Sequence, residues 1–293
     1  MKIVFFGTPD YVLPILTRIH HEFVTGPGKS PIAAVVTQSP KPVGRKEVIT
    51  YSPIDKWAHN HKIPIFYSAN DLLEANLDIE IGVLASYGEI IKKEVIDLFS
   101  QGILVIHPSL LPKYRGASPV PEAIKNGDPQ TGVTILRMDE KMDHGPIVTQ
   151  FKDDVLPTDT ANVLRNRLFE KSAEVLVETI TPYVQGKIKL KKQDDEAATY
   201  TKLVTRQDGF IDLKEKSGID AERFIRAMFP WPGAWTLLRS PGATEGQAKR
   251  LKLLKSHVDE SGKLVLDEVQ LEGKSPVSYK QFKAAYSDLG VSV

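Results

Sequence analysis

With 293 residues, 41% of them hydrophobic and 26% charged, the chain has the length for two domains and the composition of a globular protein with a proper core. It contains no cysteine, which excludes disulfides, thiolate metal sites and cysteine nucleophiles together. A net charge of +1 and a pI near 7.8 neither demand nor exclude a nucleic-acid partner. With no secretory signal and no membrane-length apolar run to be read, a cytoplasmic protein without a membrane partner is expected.

Residues 3–6 form a continuous apolar run that stops at Gly7, and the segment to about Phe23 carries helical spacing at Val12, Ile15, Leu16 and Ile19. Residues 32–36 read as a second strand, 54–58 as part of a short helix and 79–85 as a third buried strand. A helical stretch near 92–99 leads into the strand 103–106. Continuous Val/Ile/Leu strands alternating with helices predict an α/β fold, a Rossmann-like parallel sheet covered on both faces. Ligands of such sheets gather at the carboxyl ends of the strands, and His107 follows one of those ends. One long amphipathic helix is predicted over 158–184, capped by Thr158 or Asp159, with Val163, Leu164, Leu168, Val175, Leu176 and Ile180 as its buried stripe. The expected division is 1–186 as a first domain, 187–205 as a basic linker and 206–293 as a small unit. That last unit carries short strands at 251–254 and 264–269 and a helix near 221–228.

Several candidate motifs fail on their chemistry. Gly7-Thr8-Pro9-Asp10 offers one glycine where a dinucleotide-binding turn needs three. His59 and His61 point apart at their spacing and have no carboxylate cluster beside them, so no metal is expected there. His20 and His21 read as a solvated helix end, and Ser109 lacks the Gly-x-Ser-x-Gly elbow of a hydrolase. His107 is the better candidate. Residues 131–147 run from a strand into a loop that carries Asp139 and Asp143 and closes with Gly145 and Pro146. An aspartate on a neighbouring loop can orient an imidazole and keep it cationic for catalysis. Asp143, with its glycine turn, fits that role better than Asp139, which reads as a solvated loop acid.

The stretches GTPD, VTQSPKPVGRK, YSPI, ASYGEII, HPSLLPKYRGASP, TGVTILRMDEKMDHGPI, FPWPGAW and VQLEGKSPVS follow one another along the chain. In that order and spacing the sequence resembles the methionyl-tRNA formyltransferases, folate-dependent enzymes, across essentially its whole length. The resemblance implies a formyltransferase domain followed by a small β-rich, OB-like domain that binds tRNA, although the last stretch here is shorter than that barrel usually is. It implies transfer of a formyl group from 10-formyltetrahydrofolate, a cosubstrate, to initiator methionyl-tRNA, by a monomer and without a metal. His107 and Asp143 would be the catalytic pair. The folate would lie against Gly88, Glu89, Ile90 and Ile91, the loop that begins at Asp139, and the turn Ser109, Leu110, Leu111 and Pro112.

For tRNA, the resemblance points to the basic loop with Lys41, Arg45 and Lys46, although further basic positions of the family are Glu47 and Val48 here. Lys187, Lys189, Lys191 and Lys192 on the connector form a second local cluster, and Lys249, Arg250, Lys252 and Lys255 a third. Phosphate contacts need only such clusters.

The chain departs from the family at one position. The pattern there is Asn-x-His, and two residues before His107 this sequence has Val105. Alternate strand residues share a face, so Val105 stands where the amide belongs and donates nothing. Losing one oxyanion donor costs on the order of 100- to 1000-fold in turnover. An impaired natural enzyme, a deliberate substitution, or replacement of the donor by Asn126, Asn162 or a water are all compatible with the sequence. Two other functions stay open: N-formyl transfer to a nucleotide-linked amino sugar, and binding of folate or tRNA without appreciable turnover.

Overall fold

The chain opens with β1 (Ile3–Gly7), α1 (Leu13–Phe23) and β2 (Ile32–Val36), then an exposed hairpin of β3 (Lys41–Val43) and β4 (Val48–Thr50). Next come α2 (Pro53–Asn60), β5 (Ile65–Phe66), β6 (Ile81–Ala85), the one-turn α3 (Lys93–Ile96), β7 (Ile103–His107) and the short β8 (Arg115–Gly116). They are followed by α4 (Pro119–Lys125), β9 (Gln130–Arg137), β10 (Ile147–Asp154), α5 (Ala161–Val184) and β11 (Tyr200–Thr201). The remainder is α6 (Gly218–Met228), β12 (Ala234–Leu238), β13 (Lys249–Val258), β14 (Leu264–Leu271), β15 (Val277–Ser278) and α7 (Tyr279–Ala285). This computed structural model describes residues 1–26, 29–44, 46–238 and 248–286.

Seven strands form the central sheet, in the order β10-β9-β7-β6-β1-β2-β5. β5, β2, β1, β6 and β7 are mutually parallel, and β1 and β7 are buried along their whole length. That is the signature of a sheet covered on both faces. β9 differs: it runs antiparallel to β7, with Val105 opposite Leu136 and His107 opposite Thr134. The chain enters β9 beside the end where it left β7, so no crossover over the sheet is needed. The sheet is therefore mixed.

Two compact units are built from this chain, and they do not follow the linear division read from the sequence. The first comprises residues 1–116, 131–153 and 165–200; the second comprises 117–130, 154–164 and 201–293. The stretch expected as a linker from 187 onwards is thus, up to Tyr200, part of the first unit. Its Lys191 exchanges backbone hydrogen bonds with Ile147 at 2.8 and 2.9 Å. In the second unit, α4 and α6 accompany a four-stranded antiparallel sheet, β12-β13-β14-β15. The two predicted strands fall inside β13 and β14.

The long helix starts at Ala161 rather than 158. The Asp159 carboxylate accepts the Leu156 N–H at 2.8 Å and closes the preceding turn. Leu164, Leu168, Leu176 and Ile180 are buried as expected, whereas Val175 is half-buried and Val163 is 48% exposed. A residue next to Leu164 is rotated by about 100° around the helix, off the stripe. No helix among the described residues is long and apolar enough to cross a membrane.

Candidate active site

β7 ends at His107 because Pro108 has no N–H to continue the ladder. The imidazole is 5% exposed. Its Nε2 lies 2.9 Å from the Tyr114 carbonyl oxygen, which can only accept, so Nε2 carries a hydrogen. Its Nδ1 lies 3.5 Å from Asp143 Oδ2, and the same oxygen accepts the Gly116 N–H at 2.7 Å. The structure thus brings together the two residues that the sequence pairs.

Asp143 reaches this place through a tight turn. Its own φ is +51°, in the left-handed region, and a Cβ on Gly145 would stand 1.9 Å from the Arg137 carbonyl oxygen. Only glycine fits there. Behind the turn, Gln193 donates to the carbonyls of Asp143 and Gly145 and accepts from Arg115. Arg115 also binds Asp195 at 2.7 Å and the Tyr200 hydroxyl at 3.2 Å. The Arg115 hydrogen bond, followed by that of His144, holds the Asp195 carboxyl below the usual carboxylate range. Asp139 is not the solvated acid expected: it bonds His144 Nδ1 at 2.6 Å and accepts the Lys141 N–H at 3.0 Å. His144 Nε2 lies 3.3 Å from Asp195.

The loop after His107 is wired to β9. Thr134, fully buried, donates to the Ser109 carbonyl at 2.7 Å and accepts from the Leu111 N–H at 3.0 Å and Gln150 Nε2 at 2.8 Å. The Ser109 hydroxyl is engaged within its own turn, donating to the Lys113 carbonyl at 2.6 Å. Leu111 is buried, Leu110 and Pro112 are half-buried, and the Leu111-Pro112 peptide is cis. Sequence reasoning missed Thr134, Gln150, Arg115 and Gln193 as parts of this site. Of these, Arg115 stood within the quoted family stretch HPSLLPKYRGASP, and Thr134 interrupts the apolar run 133–136.

On the loop after β6, Ser86 (φ +49°) and Gly88 (φ +88°) turn the chain, and Tyr87 donates to Glu89 Oε2 at 3.1 Å. Burial, reinforced by the charge of Glu89, pushes the Tyr87 phenol up. Ile91 enters the core, while Ile90 is 87% exposed; Met142, beside Asp143, is 63% exposed. Val105 packs with Leu84, Leu111, Leu136 and Met138 in an apolar cluster. Asn126 and Asn162, the suggested replacement donors, belong to the second unit, and Asn162 Oδ1 accepts from the Thr160 hydroxyl at 2.7 Å.

The basic residues are placed as follows. Lys41 and Lys46 are exposed in the β3–β4 region, and Arg45 lies outside the described residues. Lys187, Lys189, Lys191 and Lys192 are exposed on the first unit. On β13, Lys249, Arg250, Lys252 and Lys255 are exposed, with Arg250 stacked over Trp235 at 3.8 Å and Lys255 paired with Glu268 at 2.9 Å. His20 is no solvated end: it bonds Ser30 at 3.2 Å and meets Trp57 and His61 edge-on. Burial, then the neighbouring His61 and His21, lowers its pKa.

A mixed α/β sheet that ends in an imidazole and a carboxylate set on a glycine-closed turn is a frame for proton-coupled group transfer. Residues 1–180 match the formyl transferase family, and residues 203–264 match the formyl transferase C-terminal domain. The chain belongs to the formyltransferase family. It is 39% identical over 243 residues to a methionyl-tRNA formyltransferase of Halalkalibacterium halodurans, covering 81% of this chain and 74% of that protein. A methionyl-tRNA formyltransferase of Methylacidiphilum infernorum is 37% identical over 312 residues, covering 96% and 94%. Among solved structures, the sugar 3N-formyl transferase WlaRD shares the fold with a TM-score of 0.68 at 20% identity, covering 94% of this chain and 99% of that one. The methionyl-tRNA formyltransferase of Clostridium thermocellum does so with 0.61 at 18% identity, covering 92% and 98%.

Proposed function

We propose that this chain transfers a formyl group from 10-formyltetrahydrofolate to the α-amine of initiator methionyl-tRNA. The observation that carries the reading is the His107–Asp143 pair at the carboxyl end of β7, on a chain whose relatives of that name match it over up to 96% of its length. The exposed Ile90 and Met142 suit a flat heteroaromatic ligand, since both present apolar surface that a pteridine would remove from water. Gly88, Glu89, Ile90 and the loop from Asp139 to Asp143 would hold it, with the buried Ile91 anchoring the first of these segments in the core. When bound, 10-formyltetrahydrofolate supplies the formyl carbon, and its nitrogen is the leaving group.

The protein's part is proton handling. Nε2 of His107 is fixed by the Tyr114 carbonyl, so this ring face is an anchor. The 3.5 Å between Nδ1 and Asp143 is longer than the roughly 2.7–3.2 Å of a well-made hydrogen bond, which leaves Nδ1 as the position that serves the reacting atoms. Asp143 beside it can take the proton lost by the attacking amine, and His107 can return one to the departing nitrogen. The exposed lysines of the β3–β4 hairpin and of 187–192, with Arg45, supply charge for tRNA phosphates.

A second reading is favoured by Val105. A hydrocarbon cluster stands where the family's amide would donate to the developing oxyanion, and that favours slow turnover or binding alone. The test is mass-spectrometric detection of formylation with 10-formyltetrahydrofolate and either methionyl-tRNA or a nucleotide-linked amino sugar. Slow formylation of methionyl-tRNA alone supports the proposal. Formylation of the sugar alone contradicts the acceptor, and retained folate and tRNA binding without any product supports the non-catalytic relative.

A further inference from the structure

The Asp143 turn is braced from behind by a residue whose side chain meets Asp143 at the backbone carbonyl rather than at the carboxylate. Gln193 is buried although it lies among exposed lysines and aspartates. Its Nε2 donates to the carbonyl oxygens of Asp143 and Gly145, both at 2.8 Å. Its Oε1 accepts from Arg115 Nε at 3.1 Å and Nη2 at 2.8 Å. A guanidinium only donates, so it dictates which way the amide faces and aims both amide hydrogens at the turn. Arg115, itself 1% exposed, is held in turn by Asp195. Asp143 keeps a left-handed φ of +51°, which a residue with a side chain retains only where its surroundings enforce it.

We propose that Gln193 and Arg115 are positioning residues for formyl transfer. The amide clamps the two carbonyls of the Asp143–Gly145 turn, the guanidinium fixes the amide, and the carboxylate of Asp143 is thereby kept against His107 and the Gly116 N–H. The inference rests on the catalytic reading of His107 and Asp143. It also assigns the front part of the charged connector to the site itself rather than to a tether.

Gln193→Glu tests it, because the change keeps the size and the acceptor for Arg115 and replaces the two donors with an oxygen facing two carbonyls. The turnover number for methionyl-tRNA formylation should fall on the order of 10- to 100-fold, with the folate KM within about 3-fold of the parent. Arg115→Lys, which keeps a charge for Asp195 but cannot fork onto Oε1, should give a smaller loss with the same split. It decides the matter if Gln193→Glu does not fold. An unchanged turnover number, or a raised folate KM without loss of turnover, would overturn the proposal.

If the parent forms no product, the catalytic reading fails, and positioning is read separately from hydrogen exchange of the Gly116 amide, which Asp143 holds at 2.7 Å. Gln193→Glu should speed that exchange by about 10-fold or more and leave the Ile135 amide in β9 unchanged. Equal protection of Gly116 in both proteins would overturn the clamp.

Discussion

Two positions on one face of β7, one pleat apart, are finished in opposite ways. His107 is tied at Nε2, faced by Asp143 at Nδ1, and backed by a turn that Gly145, Gln193 and the Gly116 N–H hold in place. Val105 is sealed among Leu84, Leu111, Leu136 and Met138, with no hydrogen to offer a reacting oxygen. The difference separates two jobs that a formyl-transfer site usually does together. On the proposed function, His107 and Asp143 would handle the protons, and a valine at position 105 would leave the formyl oxygen without a side-chain donor there. Catalysis depends on donors that act where charge develops, so the missing one weighs on turnover rather than on binding.

Removing either member of the His107–Asp143 pair should have the largest effect. His107→Ala or Asp143→Ala should lower formyl transfer by about 100- to 10,000-fold, the range of general acid–base effects. Both variants should stay within about 2 kcal/mol of the parent in thermal unfolding. Near-parent activity in either would show that the pair is not the catalytic one.

The wiring around the pair should show itself in stability instead. Thr134→Val removes a buried hydroxyl that joins Ser109, Leu111 and Gln150, and leaves the Leu111 N–H without that acceptor. A loss of about 1–3 kcal/mol in denaturant unfolding is expected, with a much smaller change in turnover. Unaltered stability would mean that the loop after His107 is not anchored through β9.

The smallest effect belongs to the basic loop. Lys46→Ala or Arg45→Ala should weaken methionyl-tRNA binding, lower the slope of log affinity against log salt by about 1, and leave folate affinity untouched. Weakened folate binding with tRNA affinity unchanged would remove that loop from the tRNA interface.

The parts that were legible in the sequence share a physical reason. β1, β2, β6 and β7 announce themselves because strands buried on both faces must be continuous apolar runs, and His107 stands out as the polar residue at the end of one. Asp143 was legible through its glycine. The direction of β9 was not, since an apolar run carries no mark of which way its neighbour points. Gln193 was hidden for another reason: a single amide among lysines and aspartates has no period, and its burial is decided by Arg115, 78 residues away in sequence. Asp139 read as solvated because its partner His144, five residues on, lies in no regular element whose spacing could pair them.

On the proposed function, Val105 leaves formyl transfer without a side-chain donor to the developing oxyanion. Steady-state kinetics of the parent and Val105→Asn, side by side with 10-formyltetrahydrofolate and methionyl-tRNA, test it most directly. Turnover should rise by roughly 100-fold or more with little change in folate affinity, because a preorganised donor acts mainly on the transition state. A parent that already turns over at a rate the asparagine cannot improve would contradict the claim, since another group would then be stabilising the oxyanion.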